Sequence, residues 1–180
     1  MGYAGGRQAN PDYHNMGDHT ETVQVDYDPR RITYSQLLDI FWKSHKPTRG
    51  GGPRQYMRAV FYHDEDQHQL AVASMSAVEQ KLGQPIKTRL APLHTFTMAE
   101  DYHQKYMLKQ HHRLKSEMQR FYPDHGDLVG STAVARVNGY AGGHGTRKQF
   151  SQDVGRLGLS EAGRQELAEI MERRWNFDRQ

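Results

Sequence analysis

Eleven histidines, and no cysteine among 180 residues, define which chemistry this sequence can support. The lack of cysteine excludes disulfides, thiolate metal ligands and a cysteine nucleophile in this chain. His63 with His68, and His103 with His111 and His112, are spaced closely enough to raise the question of a metal site. No HExxH pair or cluster of carboxylates accompanies them, so the pattern favours histidines on polar helix faces and predicts no metal.

Lysine and arginine are interspersed with aspartate and glutamate along the chain, and the net charge is only +3. Because the basic residues do not cluster, nucleic acid is not an expected partner. No apolar run approaches the roughly 20 residues that span a bilayer, so no membrane partner is expected either. No signal peptide precedes Gly2. The default expectation is therefore a cytoplasmic protein of one domain, with a small appendage at most.

Any functional group must be positioned by strands and helices. In the first half of the chain, segments with the hydrophobic pattern of a strand alternate with segments that have the pattern of a helix. Residues 2–18 are rich in Gly, Asn, Asp and Pro and predict a loop. Apolar residues alternate with polar ones over 22–27, which predicts a half-buried strand. Thr33 and Gln36 have the spacing of a capping box, and apolar residues recur at helical intervals over 34–42.

Two further strands are predicted over 58–62 and 86–90, with a helix between them that Asp64 caps and Gly83 ends. The order strand, helix, strand, helix, strand predicts a two-layer α/β sandwich with a thin sheet. Helical patterns dominate the rest of the chain. Helix starts are predicted at Thr97, which forms a capping-box pattern with Glu100, and at Ser160. Helix ends are predicted before Pro123 and at Asn138 with Gly139.

Five motifs in order along the chain, GYAGG, PDYHNMGDHTETVQVDYDP, FWKSHKPT, RQYMRAVFYH and AEDYHQKY, resemble the peptide-methionine (S)-S-oxide reductase family, methionine sulfoxide reductase A. The resemblance implies a ferredoxin-like two-layer α/β (α+β) sandwich over 1–110 and a helical C-terminal extension over 111–180. It also implies thiol-dependent reduction of methionine S-sulfoxide, free or in proteins, as a repair reaction under oxidative stress. Such enzymes use thioredoxin or another dithiol as reductant and no cofactor.

One part of the family pattern is not found in this sequence. In the family, GYAGG follows a strand, a helix and a second strand, and the first strand ends in Gly-Cys-Phe-Trp, whose cysteine attacks the sulfoxide sulfur. We therefore expect an N-terminally truncated, cysteine-free form that is inactive by itself, since a thiolate is the soft nucleophile among protein side chains. The alternative is a pseudoenzyme or binding module that recognises methionine sulfoxide or a protein partner without turnover.

The resemblance also assigns site residues. Glu21 matches the family's acidic residue, which donates a proton to the sulfoxide oxygen, so it is the expected catalytic acid. Tyr3 and Tyr56 match tyrosines whose hydroxyls bond the same oxygen, and Asp101 in AEDYHQ matches a further position of the site. Gly51 departs from the pattern, because many members carry an aspartate five positions before the tyrosine at Tyr56.

Each assignment has a structural alternative. Glu21 could be a solvated carboxylate at the entry of a strand, and Asp101 could stabilise the start of a helix. Tyr3 and Tyr56 could each be a buried tyrosine that anchors a core and uses its hydroxyl to satisfy a backbone carbonyl. Phe41 and Trp42 resemble the family's Phe-Trp dipeptide only superficially, and their helical spacing predicts that they are core residues.

Overall fold

The computed structural model describes residues 1–50 and 52–177, and these residues form two compact units that divide between Glu100 and Asp101. The first unit combines small sheets with two long helices, and the second is built from helices. The mixed α/β class predicted from the sequence is confirmed. The strands are β1 Gly2–Ala4, β2 Thr20–Thr22, β3 Ala59–Tyr62, β4 Arg89–Pro92 and β5 Phe96–Met98.

Two separate sheets make up the β-structure of the first unit. Strand β1 lies in the middle of an antiparallel sheet of order β2-β1-β5, in which Tyr3 pairs with Glu21 on one side and Thr97 on the other. Strands β3 and β4 form a parallel pair. The loop predicted for residues 2–18 is therefore wrong at its start. Three buried residues of β1 are ordered by a strand on each side, a tertiary effect that local composition does not report.

The two helices of the first unit, α1 Tyr34–Lys43 and α2 Glu65–Leu82, begin and end as predicted. Both hydrogen bonds of the Thr33–Gln36 capping box are formed. Asp64 accepts a hydrogen bond from the Gln67 backbone, and Gly83 ends α2 at φ 63°, where a glycine meets no steric penalty.

The helices pack through an apolar cluster centred on Leu38, Trp42 and Ala71, with Phe41 partly buried against it. The indole Nε1 of Trp42 also donates a 3.0 Å hydrogen bond to the hydroxyl of Ser74 on α2. The interpretation of Phe41 and Trp42 as core residues is confirmed.

The strand predicted over 22–27 is wrong beyond its first residue. Strand β2 ends at Thr22, which pairs with Gly2, and within the described residues no strand borders the segment that follows. Val23 and Val25 are 63% and 56% exposed. The alternating pattern is present, but a strand forms only where a neighbouring backbone completes its hydrogen bonds.

Two further boundaries differ from prediction because tertiary pairing decides them. Strand β4 begins at Arg89, opposite Ala59 of β3, so the strand predicted over 86–90 starts too early. Thr97 belongs to strand β5 and does not cap a helix. The carboxylate of Glu100 accepts hydrogen bonds from Tyr3 and Tyr13 instead of closing a capping box.

The helix that Thr97 and Glu100 are expected to begin is replaced by a 3₁₀ turn over Asp101–His103 and a short helix. The six helices of the second unit are α3 Tyr106–Lys109, α4 His112–Phe121, α5 His125–Gly130, α6 Thr132–Ala141, α7 Arg147–Asp153 and α8 Glu161–Phe177. The stop predicted at Asn138 and Gly139 is wrong, because α6 continues through both. Among the residues described, no helix combines the length and apolarity needed to cross a membrane.

The core of the second unit is a single apolar cluster contributed by several of its helices. Its fully buried members are Leu108, Leu114, Met118, Val134, Val137, Leu167 and Met171. The predicted start of the last helix at Ser160 is confirmed. The Ser160 hydroxyl accepts from the Gly163 backbone, while its own backbone and hydroxyl donate to the buried Glu117 at 2.7 and 2.6 Å.

Candidate functional site

Glu21 lies in the middle of strand β2 and is half-buried. Its Oε1 accepts a 2.6 Å hydrogen bond from Nε2 of Gln55, which lies in a 3₁₀ turn over Arg54–Tyr56. Glu21 is therefore held by a specific partner from a distant part of the chain and is not a freely solvated carboxylate.

Arg54 fixes that turn to the loop between β1 and β2. Its guanidinium donates to the backbone carbonyl of Asp18 and, at 3.0 Å, to that of Gly5. In return, the hydroxyl of Thr20 donates to the Arg54 carbonyl at 3.0 Å. Gly5 has a φ of 79°, and a Cβ there would lie 2.5 Å from the ring of Phe61, so this position requires glycine. The loop and the turn thereby form one scaffold under Glu21.

Tyr56 follows Gln55 in the same turn, and its side chain is 60% exposed. Partial desolvation raises the pKa of Tyr56, and the negative charge of Glu21 and a hydrogen bond with the Tyr13 side chain raise it further. The Tyr56 hydroxyl therefore keeps its proton over the physiological pH range. An exposed, protonated hydroxyl beside a carboxyl group can donate a hydrogen bond to an oxygen of a bound molecule.

Tyr3 is buried in the middle of the antiparallel sheet, and its assignment to the site stays a prediction. It pairs directly with Glu21 across the sheet, but its side chain is only 1% exposed. Its hydroxyl donates a 2.7 Å hydrogen bond to Oε2 of Glu100, and Oε1 of Glu100 accepts the backbone N–H of Tyr13 at 2.9 Å. The Tyr3 proton is thus directed to Glu100, which joins β1 to the segment that carries Tyr13.

Asp101 belongs to the second unit, whereas Glu21, Tyr3 and Tyr56 belong to the first. Its side chain is 80% exposed and contacts Nε2 of His125 at 3.0 Å, and its backbone carbonyl accepts a hydrogen bond from Lys109. The assignment of Asp101 to the site therefore stays a prediction. Gly51, which departs from the family pattern, lies outside the described residues.

Three residues around Glu21 and Tyr56 were missed by sequence reasoning: Gln55, Tyr13 and Glu100. Gln55 and Tyr13 lie within two of the quoted motifs, but neither the residue type nor the spacing indicates a polar contact with a residue tens of positions away. Glu100 was assigned to a helix cap because it follows Thr97 by three positions. Its actual partners, Tyr3 and Tyr13, are 97 and 87 residues away in sequence.

Two of the histidines considered as metal ligands each contact one carboxylate. His68 contacts Glu65 at 3.3 Å, and His111 contacts Glu166 at 3.5 Å. Within residues 1–50 and 52–177, no group of three or more histidine, aspartate or glutamate side chains is arranged to hold a metal ion.

Comparisons with known proteins place this scaffold in one family. The family model described as peptide methionine sulfoxide reductase matches residues 1–132. A peptide methionine sulfoxide reductase of Drosophila melanogaster is 40% identical over 172 residues, which cover 92% of this chain and 67% of the relative. Peptide methionine sulfoxide reductase A5 of Arabidopsis thaliana is 41% identical over 148 residues, 78% of this chain and 57% of that protein. The chain thus spans about two thirds or less of the length of these relatives.

Comparison with solved structures supports the same family. Reduced Mxr1 from Saccharomyces cerevisiae superposes with a TM-score of 0.57 at 28% identity, covering 62% of this chain and 70% of that one. Methionine sulfoxide reductase A of Corynebacterium diphtheriae gives a TM-score of 0.56 at 32% identity, with 62% of each chain covered. On the family match, the sequence identity and the shared fold, the chain belongs to the peptide methionine sulfoxide reductase family.

Proposed function

We propose that this chain carries the oxygen-binding side of a methionine S-sulfoxide site, formed by Glu21 and Tyr56 with Tyr13 beside them. The observation that carries the proposal is the arrangement of two potential proton donors on one scaffold. Gln55 holds Oε1 of Glu21, and the neighbouring Tyr56 presents an exposed, protonated hydroxyl. Membership of the family makes a sulfoxide the oxygen-bearing group that best fits such a pair.

The chemistry of sulfoxide reduction assigns each group a role. A thiolate attacks the sulfoxide sulfur and forms a sulfur–sulfur bond, and the oxygen takes up two protons and leaves as water as the sulfur–oxygen bond breaks. Water then attacks the thiol sulfur and loses a proton, and the sulfur–sulfur bond breaks with its electron pair passing to the substrate sulfur. The products are a sulfenic acid and a thioether. The oxygen needs a proton as the bond breaks, which Glu21 supplies through Oε2, the oxygen that Gln55 does not occupy. The Tyr56 hydroxyl stabilises the charge that develops on the same oxygen. A dithiol such as thioredoxin then reduces the sulfenic acid in two thiol exchange steps.

The thiolate is the group that this chain does not contain. By itself, the chain is therefore proposed to bind methionine S-sulfoxide without reducing it. A second candidate, a binding module that recognises methionine sulfoxide as its function, is favoured by the same lack of cysteine. The two candidates share the site and differ in whether turnover appears once a thiolate is supplied in the correct position.

Binding of a short peptide that contains L-methionine-S-sulfoxide tests the site. We expect the S-sulfoxide peptide to bind, measured by isothermal titration calorimetry, and the methionine and R-sulfoxide peptides to bind at least about tenfold more weakly. Glu21→Leu removes the carboxyl group while keeping a side chain of similar size, and should weaken binding of the S-sulfoxide peptide about three- to tenfold, as expected for one hydrogen bond. Glu65→Leu, at an exposed carboxylate in the first turn of α2, is the matched control. Equal affinity for all three peptides would refute the proposed site.

Turnover by the chain alone is the complementary test. Mass spectrometry should detect no conversion of the S-sulfoxide peptide to the methionine peptide beyond that in buffer with dithiothreitol. Conversion above that background would mean that a group other than cysteine starts the reaction.

A further inference from the structure

His19 is a buried histidine that takes no part in the chemistry proposed above. It is the last residue of the β1–β2 loop, residues 5–19, and is 2% exposed. Its Nδ1 lies 3.3 Å from the backbone nitrogen of Gly6, and its Nε2 lies 2.9 Å from the backbone carbonyl oxygen of Gln8. Both ring nitrogens therefore bond main-chain groups near the start of the same loop.

These two partners determine the protonation state of the ring. A backbone N–H can only donate a hydrogen bond, so Nδ1 of His19 must carry no proton to accept from Gly6. A carbonyl oxygen can only accept, so Nε2 must carry the proton that it donates to Gln8. The closed loop thus contains the neutral Nε2–H form of His19. A proton added at Nδ1 would face the N–H of Gly6, and the hydrogen bond between them would be lost.

The loop is packed too closely to relieve that contact by a small shift. A Cβ on Gly6 would lie 2.6 Å from Oδ1 of Asp18. The same oxygen accepts the backbone N–H groups of Arg7 and Gln8 at 2.6 and 3.2 Å. The start and the end of the loop are therefore joined by the Asp18 carboxylate and by the His19 ring.

The charged groups around the ring have no net negative charge that would hold an imidazolium ion. They lie in the loop, on β2 and in the 3₁₀ turn, with two of each sign: Arg7, Asp18, Glu21 and Arg54. Strand β1 carries no charged side chain. The backbone N–H of Arg7 holds the pKa of Asp18 below its ordinary value, so the Asp18 carboxylate keeps its charge when His19 is protonated.

The same loop carries Tyr13 to the proposed site. The side chain of Tyr13 is hydrogen-bonded to that of Tyr56, and its backbone N–H donates to Glu100 at 2.9 Å. Arg54, in the turn that presents Tyr56, donates to two backbone carbonyl groups of the loop. Opening of the loop would therefore separate Tyr13 from Tyr56 and release the turn.

We propose that His19 is a positioning residue and an acid-sensitive switch: its neutral form holds the β1–β2 loop closed, and a proton on its ring opens the loop and weakens S-sulfoxide binding. The closed loop accepts a second ring proton only by losing the Gly6 bond, whereas the open loop exposes the ring to water. Protons therefore favour the open form. The loop is closed while the imidazole is neutral and opens as the pH falls from about 8 towards about 5. The effect on binding rests on the proposed function, and the opening of the loop does not.

Two measurements on the unmodified chain test the switch without a ligand. Nitrogen-15 NMR of the histidine rings should show the Nε2–H form of His19 at about pH 7.5. Backbone amide protection, corrected for the intrinsic pH dependence of exchange, is then compared at about pH 7.5 and about pH 5.5. We expect residues 6–8 and Tyr13 to lose at least about tenfold protection at the lower pH, while α2 keeps its protection.

His19→Asn separates the effect of the proton from that of the fold. The Oδ1 of asparagine can accept from Gly6 in place of Nδ1, and it does not titrate. The loss of protection at low pH should therefore disappear. At about pH 5.5 the variant should bind the S-sulfoxide peptide about three- to tenfold more tightly than the unmodified chain, measured by isothermal titration calorimetry. His94→Asn is the matched control, because His94 is exposed between β4 and β5, and it should behave like the unmodified chain.

Four outcomes decide the inference. An Nδ1–H form of His19 at neutral pH, or equal protection of residues 6–8 at both pH values, would overturn it. An equal loss of protection in His19→Asn would assign the transition to another group and also overturn it. Loop opening with no change in S-sulfoxide affinity would overturn the positioning role. Loop opening in a chain that binds no sulfoxide peptide at either pH would support the switch and contradict the proposed function.

Discussion

Gln55 Nε2 lies 2.6 Å from Glu21 Oε1, in a hydrogen bond between residues 34 positions apart in sequence. This bond joins strand β2 to the 3₁₀ turn that also presents Tyr56. It fixes the carboxyl group in one orientation and leaves Oε2 as the oxygen that can meet a ligand. The geometry makes Gln55 a positioning residue for Glu21.

Replacing Gln55 by leucine removes this hydrogen bond while keeping a side chain of similar size. We expect Gln55→Leu to weaken binding of the S-sulfoxide peptide about three- to tenfold, which corresponds to the loss of one hydrogen bond of about 1 kcal/mol. Isothermal titration calorimetry measures the change. Gln69→Leu, on the exposed surface of α2, is the control and should bind like the unmodified chain. Unchanged affinity of Gln55→Leu would mean that Glu21 needs no positioning.

The ionisation of Tyr56 reports its distance from Glu21. Desolvation, the charge of Glu21 and the Tyr13 contact all raise the pKa of Tyr56, so its hydroxyl should lose its proton at a higher pH than an ordinary tyrosine. In a titration followed at 295 nm, the difference between the unmodified chain and Tyr56→Phe isolates this transition. Glu21→Gln should move the midpoint down, because removing a negative charge makes tyrosinate formation easier. A midpoint that does not respond to Glu21→Gln would place the two groups too far apart to share a ligand.

Tyr3 and Tyr56 should respond oppositely to the same substitution. Tyr3→Phe removes a buried hydrogen bond to Glu100, so we expect the free energy of unfolding to fall by about 1–3 kcal/mol, measured by urea denaturation. Tyr56 is exposed, so Tyr56→Phe should change the free energy of unfolding by less than about 0.5 kcal/mol. The same substitution should weaken S-sulfoxide binding. If Tyr3→Phe instead leaves stability unchanged and weakens binding, Tyr3 contacts the substrate as the family resemblance implies.

The second unit contains a buried tyrosine, Tyr140, whose contribution to stability should depend on pH. Desolvation and the hydrogen bond to Asp153 raise the pKa of Tyr140 to about 12, against about 10 in an unfolded chain. The protonated hydroxyl therefore stabilises the fold fully below pH 10, and this contribution is lost as the pH rises towards 12. We expect Tyr140→Phe to lower the free energy of unfolding by about 1 kcal/mol at pH 7, and the difference from the unmodified chain to shrink above pH 10.

Thermal and urea unfolding between pH 7 and pH 11 measure that difference. Tyr106→Phe is the matched control, because Tyr106 lies on a helix of the same unit and is 56% exposed. A constant difference between the unmodified chain and Tyr140→Phe over this pH range would show that the Tyr140 hydroxyl does not titrate with folding.

Features that depend on neighbouring residues alone could be predicted from the sequence. The caps at Thr33 and Asp64 and the helix end at Gly83 were correct because a cap is made by residues three or four positions apart. The core role of Trp42 was correct because helical spacing decides which face is buried.

Features that depend on contact with a distant part of the chain could not be predicted from the sequence. The short segment Gly2–Ala4 is a strand because β2 and β5 lie on either side of it. Residues 23–27 have a strand pattern but do not form a strand, because among the described residues no strand lies beside them. Among the site residues, Glu21 and Tyr56 came from the family resemblance, whereas Gln55 and Glu100 could only be found from the three-dimensional contacts.

The central claim is that Glu21 supplies the proton for sulfoxide reduction once a thiolate is present. Fusing a family strand–helix–strand unit with its Gly-Cys-Phe-Trp motif ahead of Gly2 supplies that thiolate. The rate of S-sulfoxide reduction is then measured with excess dithiothreitol, which can reduce the sulfenic acid from outside. The fusion should be active, Glu21→Gln should lower its rate by about 10²–10⁴-fold, and Glu65→Gln should not change it. An active fusion whose rate is the same with Glu21→Gln would contradict the account.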